Sequence, residues 1–465
     1  MVEQIRRKIS ESRSARWVVL LMVSLTMMCG YFLTDVLAPL KGLLIELFEW
    51  DNTDFGLFNS GYGWFNIFLL MLIFGGMVLD KMGARFTGVL SVGVMVVGIG
   101  IKYYAIQGVD PARMVDFWFF GARSLKLQVL TASLGYALFA VGYEIIGITA
   151  NKIVVRWFRG KELAFALGMN VAFARLGTFL ALAVPLPIAR AFGNSIGMPI
   201  LFGMALLVVG FLTFLIYVGM DRRLDAEQEQ ERMGDDERFR FRDIFSIFRI
   251  RAFWYIALLC LLFYAAVHPF VKFAADLVVQ KFGVAGEYSG LIPSLLPVGT
   301  LVLTPLFGSV YDRRGKGASM MIWGAMMLVV VYAGFSMPWI THWALAAVLV
   351  SVLGVAFSLV PSAMWPSVPK IIPEQKLGTA YALIFWVQNW GLSGVPLLVG
   401  WALDRWGTVP VTGDGAAVGA VRYDYTVPML IFLGLGLLAV LFGFLLKGED
   451  RRRGYGLQEP NMARK

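Results

Sequence analysis

Cysteine and histidine are nearly absent from this 465-residue chain, which has two of each. Cys29 and Cys260 both fall inside apolar runs, where they read as small core residues and not as a disulfide or a thiolate metal site. His268 and His342 cannot supply a His-Glu-x-x-His pair or a Ser-His-Asp set, so the sequence offers no hydrolytic or zinc chemistry and calls for no cofactor. Charge is scarce as well. Asp, Glu, Lys and Arg make up 15% of residues, against about a quarter in soluble domains. The sequence lacks an Asn-x-Ser/Thr sequon and an acidic dileucine signal ahead of the first apolar run, which argues against a glycosylated lysosomal protein.

What fills the chain is hydrophobic surface: 58% of residues are apolar and the mean hydropathy is +0.71. Runs long enough to cross a bilayer recur about a dozen times. They fall near 17–45, 55–79, 86–106, 127–150, 162–189 and 196–219, then near 252–279, 287–311, 317–338, 343–366, 377–402 and 425–447. The first is too long for a signal peptide and lacks a small-residue cleavage site. The net charge of +10 does not point to nucleic acid, because most of the 41 Lys and Arg lie in the N-terminus, alternate loops and the C-tail. That asymmetry predicts both termini in the cytoplasm. The lipid bilayer is the surface this protein meets, in a plasma membrane of the bacterial inner-membrane kind.

The run Gly76-x-x-x-Asp80-Lys81-x-Gly83-x-Arg85 returns as Gly308-x-x-x-Asp312-Arg313-x-Gly315, half a chain later. Arg16 and Arg251, which open the first span of each half, stand at nearly the same offset. An internal duplication follows, with two six-helix bundles at 1–220 and 251–465. The charge-dense, core-poor 221–250 segment reads as a cytoplasmic linker ending in a basic amphipathic stretch. Asp80, Arg85, Asp312 and Arg313 are expected to latch the cytoplasmic side. Gly400-x-x-x-Asp404-Arg405-x-Gly407 has a similar look on the opposite membrane side.

Two charges stand deep in neighbouring spans. Glu144 precedes Arg156 by 12 residues and Arg175 follows Lys161 by 14. At about 1.5 Å per residue both lie roughly 20 Å into the membrane on antiparallel helices. A charge there costs about 3 kcal/mol even on lenient scales, so it faces a partner or a watery cavity. A structural ion pair is one reading; the two poles of a site for a zwitterion are the other, and the favoured one. Tyr31 and Asp35 share a face of the first span, and Asn59, Tyr62 and Asn66 form a polar stripe on the second. In the seventh span Tyr264, His268, Lys272 and Asp276 recur every four residues. Asp35 could therefore meet His268 or Lys272 across the outer mouth, unless Lys272 pairs with Asp276 on its own helix. Trp365 precedes Pro366, which is expected to break the tenth span. In the eleventh, Tyr381, Phe385 and Gln388 share a stripe with Trp386 and Asn389 beside it, a candidate cavity wall.

Twelve spans with duplicated Gly-x-x-x-Asp-Arg/Lys-x-Gly loops resemble the major facilitator superfamily, which implies a central cavity between two bundles and alternating access by rocking. Glu144 followed by Asn151, Trp157-Phe-Arg-Gly-Lys-Glu-Leu, Phe173-Ala-Arg175-Leu-Gly, Met364-Trp-Pro-Ser-Val-Pro and Pro373-Glu-Gln-Lys-Leu-Gly-Thr-Ala-Tyr381 with Gln388-Asn389 resemble one branch, the lysosomal dipeptide transporters of the major facilitator superfamily domain-containing protein 1 family. That resemblance implies Glu144 and Arg175 as holders of the amino and carboxyl ends of a dipeptide, with transport by uniport. Substrate contacts are expected from Glu144, Arg175, Asn151, Tyr31, Asn59, Tyr62, Trp365, Tyr381, Phe385, Gln388 and Asn389. Gating or coupling is expected from Asp35, His268, Lys272, Asp80, Arg85, Asp312 and Arg313. The expectation is an all-α membrane carrier, monomeric, for small zwitterions such as dipeptides, by uniport or linked to protons. An organic anion or phosphate-ester antiporter, which would want paired Arg in the first and seventh spans, and a non-transporting receptor or scaffold are the alternatives.

Overall fold

The computed structural model describes residues 12–117, 123–158, 162–228, 241–373, 376–410 and 421–460. Lys161, Glu374, Gln375, most of the acidic linker and the last basic residues, Arg464 and Lys465, lie outside these. The chain is almost entirely helical. Its first half holds α1 (Arg13–Asp35), α2 (Lys41–Phe48), α3 (Asn52–Phe68), α4 (Met71–Gly108), α5 (Leu127–Phe158), α6 (Leu163–Ala183), α7 (Pro185–Ala191) and α8 (Gly197–Gln228). A short helix α9 (Phe241–Phe248) leads into α10 (Arg251–Phe282), α11 (Leu291–Arg314), α12 (Gly317–Ser336), α13 (Trp343–Ile371), α14 (Leu377–Ala402) and α15 (Thr426–Arg453). Two small antiparallel hairpins, β1 (Met114–Phe117) with β2 (Arg123–Lys126) and β3 (Thr408–Pro410) with β4 (Val421–Tyr423), were not legible in the apolar pattern.

Among the described residues eleven helices are long and apolar enough to cross a membrane, counting α1 through α2 as one and α4 as one. Twelve crossings result because α4 is two. Its backbone leaves helical geometry at Gly83, where φ is +77°, a conformation that costs an L-residue with a Cβ. Before that point Gly75 meets Ile145 and Asp80 meets Lys152; after it Ser91 meets Gly142 and Gly98 meets Phe139. The chain therefore runs alongside α5 and then back against it. The second crossing is α3 plus Met71–Met82, interrupted where Leu70 takes a left-handed backbone with φ of +53°.

Three boundaries depart from expectation. The tenth span does not break at Pro366: α13 continues through Pro361, Pro366 and Pro369 to Ile371. Pro369 removes the donor that would satisfy the Trp365 carbonyl, and the Tyr381 hydroxyl donates to that oxygen instead at 3.2 Å. The fifth span is divided at Pro185 into α6 and α7. The expected linker start at 221 lies inside α8, where the fully buried Asp221 accepts from Arg156 at 3.1 Å and from the Trp157 indole at 2.9 Å.

Each half has its own aromatic core. In the first, Phe58, Tyr136, Phe139 and Tyr143 stack in succession at centroid separations of 5.0, 6.2 and 5.8 Å. In the second, Tyr332 stacks on Phe432 at 5.2 Å and Phe270 meets Tyr332 edge-on at 5.6 Å. The halves meet on the face away from the termini. There α3 packs on α14 so closely that a Cβ on Gly400 would lie 2.1 Å from the Asn52 carbonyl oxygen.

Candidate functional site

Between the halves lies a cavity of about 960 Å³. Its lining runs from Asp35, Tyr136 and Lys272 near the far face to Asp80, Lys152 and Gly378 at the face that carries the termini. The far end is shut by charge and hydrogen bonding across the halves. Lys272 Nζ lies 2.6 Å from Asp35 Oδ1, and Lys41 Nζ lies 2.5 Å from Asp276 Oδ2. Asp276 also accepts from the Tyr425 hydroxyl, and Lys41 donates to that hydroxyl at 3.0 Å. Lys272 thus pairs across the halves with Asp35 and not with Asp276 on its own helix, because the same-helix partner is taken by Lys41. One layer further out, Asp404 accepts from the Asn52 and Thr53 amides at 3.1 and 2.6 Å, capping α3 from the end of α14.

Glu144 and Arg175 both line this cavity. They do not pair with each other, and neither forms an ion pair with any described residue. The Tyr62 hydroxyl donates to Glu144 Oε1 and the Asn389 side chain also hydrogen-bonds to this group, so the carboxylate is oriented by neutral partners and not neutralised. The Arg175 guanidinium is held by ring faces: its Cζ is 4.9 Å from the Phe357 centroid and 5.7 Å from that of Tyr31. Cation–π contact fixes the plane of the fork and leaves its five N–H donors for an anion. Phe357 belongs to α13 and Tyr31 to α1, so both halves set the position of Arg175. The opposite wall is aromatic. Trp365 stacks on Phe385 at 5.0 Å, its indole donates to the Tyr264 hydroxyl at 3.2 Å, and His268 stacks on Tyr264 at 5.6 Å. A mainly apolar chamber in which, among the described residues, Glu144 and Arg175 stand without an ionic partner can orient a small molecule bearing both charges. Among the described residues no group of three or more His, Cys, Asp or Glu could hold a metal ion.

The sequence profile of the Major Facilitator Superfamily matches residues 20–396 and 270–461. The chain belongs to the major facilitator superfamily. The lysosomal dipeptide transporter MFSD1 of Bos taurus is 27% identical over 402 residues, covering 84% of this chain and 80% of the relative. The protein of that name from Homo sapiens is 26% identical over 402 residues, covering 84% and 81%. Among solved structures, the fold is similar to a point mutant of the nucleoside transporter NupG, with a TM-score of 0.69, 14% identity, and 92% and 99% of the two chains covered. It is also similar to a bacterial homolog of the human lysosomal transporter Spinster, in inward-facing and unoccupied conformation, with a TM-score of 0.67, 15% identity, and 95% and 98% covered. These relatives are transporters and not enzymes.

In this major facilitator fold the remaining predicted residues divide by place. Tyr31, Asn59, Tyr62, Trp365, Tyr381, Phe385 and Gln388 line the cavity with Glu144 and Arg175, as do Asp35, His268 and Lys272 at its closed end. Asn151 lines it too, but as an exposed residue two helical turns from Glu144, beside Lys152 at the mouth. Asn389 is fully buried behind the lining: its side chain hydrogen-bonds to Glu144, its amide donates to the Phe385 carbonyl at 2.9 Å, and among the described residues its Oδ1 has no partner. Asp80 lies 3.3 Å from Lys152 and Arg85 3.8 Å from Asp221, both pairs within the first half. Asp312 and Arg313 end α11 away from the cavity. Sequence reasoning missed Lys41, Lys102, Phe357 and Tyr425. The two lysines carried a signal, a charge inside an apolar run, that the span ends obscured.

Proposed function

We propose that this transporter carries small zwitterions, foremost dipeptides, by alternating access. One observation carries the reading: Glu144 and Arg175 face one cavity, in opposite sign, and neither is neutralised by the protein. An ammonium end placed at Glu144 and a carboxylate end at Arg175 would each gain a charge-assisted hydrogen bond, the carboxylate in bidentate form. The names of the 26–27% identical relatives support the same solute class. The basic residues near the termini and in alternate loops support a topology with both termini in the cytoplasm, in a plasma membrane of the bacterial inner-membrane kind. On that orientation the structure is open inward. The two six-helix bundles then rock as two bodies about the segment between α8 and α10, in a monomer, and the Asp35–Lys272 and Lys41–Asp276 pairs part when the outer side opens.

The test is uptake of labelled alanyl-alanine into proteoliposomes. Each charged hydrogen bond is worth about 1.5–3 kcal/mol, so transport at low substrate should fall roughly 10- to 150-fold in Glu144→Gln, and at least as far in Arg175→Gln, which loses a bidentate contact. Uptake equal to wild type in both variants would remove these roles.

A further inference from the structure

Three lysines and two aspartates are buried at the closed end of the cavity: Lys41, Lys102 and Lys272 with Asp35 and Asp276. The pairs account for four of them and leave Lys102 over. The difference in coordination is plain. Lys272 Nζ has three acceptors, Asp35 Oδ1 at 2.6 Å, the Thr34 carbonyl at 2.6 Å and the Tyr136 hydroxyl at 3.1 Å. That matches the three N–H bonds of an ammonium. Lys102 is 0% exposed, and among the described residues its Nζ has one acceptor, the Leu33 carbonyl at 3.3 Å, with the ring faces of Phe58 and Tyr136 at 5.1 and 5.0 Å. An ammonium with two unfilled donors in a dry site is costly, whereas an amine with a lone pair is at home there. Among the described residues the charged and titratable groups facing it are Asp35 on α1, Tyr136 on α5 and Lys272 on α10, with the Phe58 ring of α3 beside them. His268, on α10, sits near the same pair. Both amines lie on the Tyr136 ring, Lys102 at 5.0 Å and Lys272 at 5.5 Å, and they reach adjacent carbonyls, Leu33 and Thr34. Two lysines therefore stand near one carboxylate, and the ion pair it forms is with Lys272.

We propose that Lys102 is a proton-binding site that makes opening of the far face proton-linked. Lys272 belongs to the second half, whereas Asp35, Tyr136 and Lys102 belong to the first. When the halves part at the far face, Asp35 loses Lys272 and is left a buried anion with Lys102 as the nearest amine of its own half. A proton from water on that side adds to the Lys102 Nζ lone pair, and the new ammonium becomes the partner of Asp35. Closure returns Lys272 to Asp35, leaves Lys102 one charge too many, and expels the proton to the water of the cavity, which Asp35 and Thr34 line. One proton moves per cycle, bound and released at one nitrogen. The inference rests on the alternating-access reading but not on the identity of the solute.

The experiment follows the far face directly. Nitroxides are placed at the exposed Leu47 of the first half and Tyr288 of the second, with Cys29→Ala and Cys260→Ala. Distance distributions are recorded by pulsed electron paramagnetic resonance in nanodiscs from pH 5 to 9, with no solute present. In the otherwise native protein the ratio of long to short distances should rise as pH falls, by up to tenfold per pH unit for a single proton. Lys102→Met should hold the short distance at every pH, and Lys102→Arg, charged throughout, should favour the long distance at every pH. A native ratio that does not change over this range overturns the proposal. So does a pH response that survives in Lys102→Met or in Lys102→Gln. If the distances respond as expected while alanyl-alanine is not transported, the solute assignment fails and the proton site stands.

Discussion

Replacing Lys41 with Met should open the far face. Lys41 is 1% exposed and Asp276 is 7% exposed, with 2.5 Å between them. Removing the cation leaves Asp276 with the Tyr425 hydroxyl and the Gln280 amide, which donates to Asp276 Oδ1 at 3.3 Å. Breaking a buried pair from one side costs about 3–5 kcal/mol, and the two surviving hydrogen bonds favour the low end, about 3 kcal/mol. The penalty applies in the closed arrangement, because Asp276 reaches water when the halves separate. It should therefore shift the open-to-closed ratio by about two orders of magnitude. Nitroxide distances between positions 47 and 288 report that ratio, and melting temperature reports the accompanying loss of stability. The double variant Lys41→Met, Asp276→Leu removes both charges and should recover most of the closed population, since an apolar replacement of a buried pair is near neutral. A distance distribution unchanged in Lys41→Met, or a double variant as open as the single, would refute the reasoning.

Gly400→Val inserts side-chain atoms where a Cβ alone would come within 2.1 Å of the Asn52 carbonyl oxygen; α3 and α14 must then separate, and the same distance measurement should show far-face opening without any change in charge. A second test uses pH at the outer loop. Asp51, which caps α3, has its carboxyl pushed up to about 6 from 3.8 by burial and then by the neighbouring Asp54 carboxylate. A folded-state value above the unfolded one favours the protonated form of the folded protein. The contribution of Asp51 to stability is therefore present below about pH 4 and lost as pH rises toward 6. Asp51→Asn keeps a capping side chain and should remove that part of the slope when melting temperature is recorded between pH 4 and 7.

The twelve crossings could be placed from apolar length because lipid leaves no other option for the backbone. Not all of the joints could. The break at Gly83 falls in the charged Asp80–Arg85 loop, where the second and third spans were expected to part, but Leu70 interrupts the second crossing where hydropathy is continuous, and α13 runs on through its prolines, the Tyr381 hydroxyl donating to the Trp365 carbonyl that Pro369 leaves free. Helical spacing put Asp35 within reach of Lys272, since both lie at equivalent depths in duplicated helices. It could not say that Lys41 would take Asp276, because the chain between Asp35 and Lys41 passes through a 3-10 turn, Ala38–Leu40, that resets the facing direction. Depth counting brought Glu144 and Arg175 to the same level, but only the coordinates show that rings and a phenol, and not each other, hold them. Phe357 as a seat for Arg175 had no signal at all: a phenylalanine in an apolar span looks like any other.

The order of charges along the far-face seam has a mechanical result. Going outward, α1 and the turn after it present an acid and then a base, while α10 presents a base and then an acid. If the two strips were to slide past one another by a helical turn, Asp35 would approach Asp276. Shear is thus opposed by electrostatic repulsion, while straight separation only exposes each charge to solvent. The seam behaves as a keyed joint, free to unzip at right angles to the membrane axis and resistant to slippage along it.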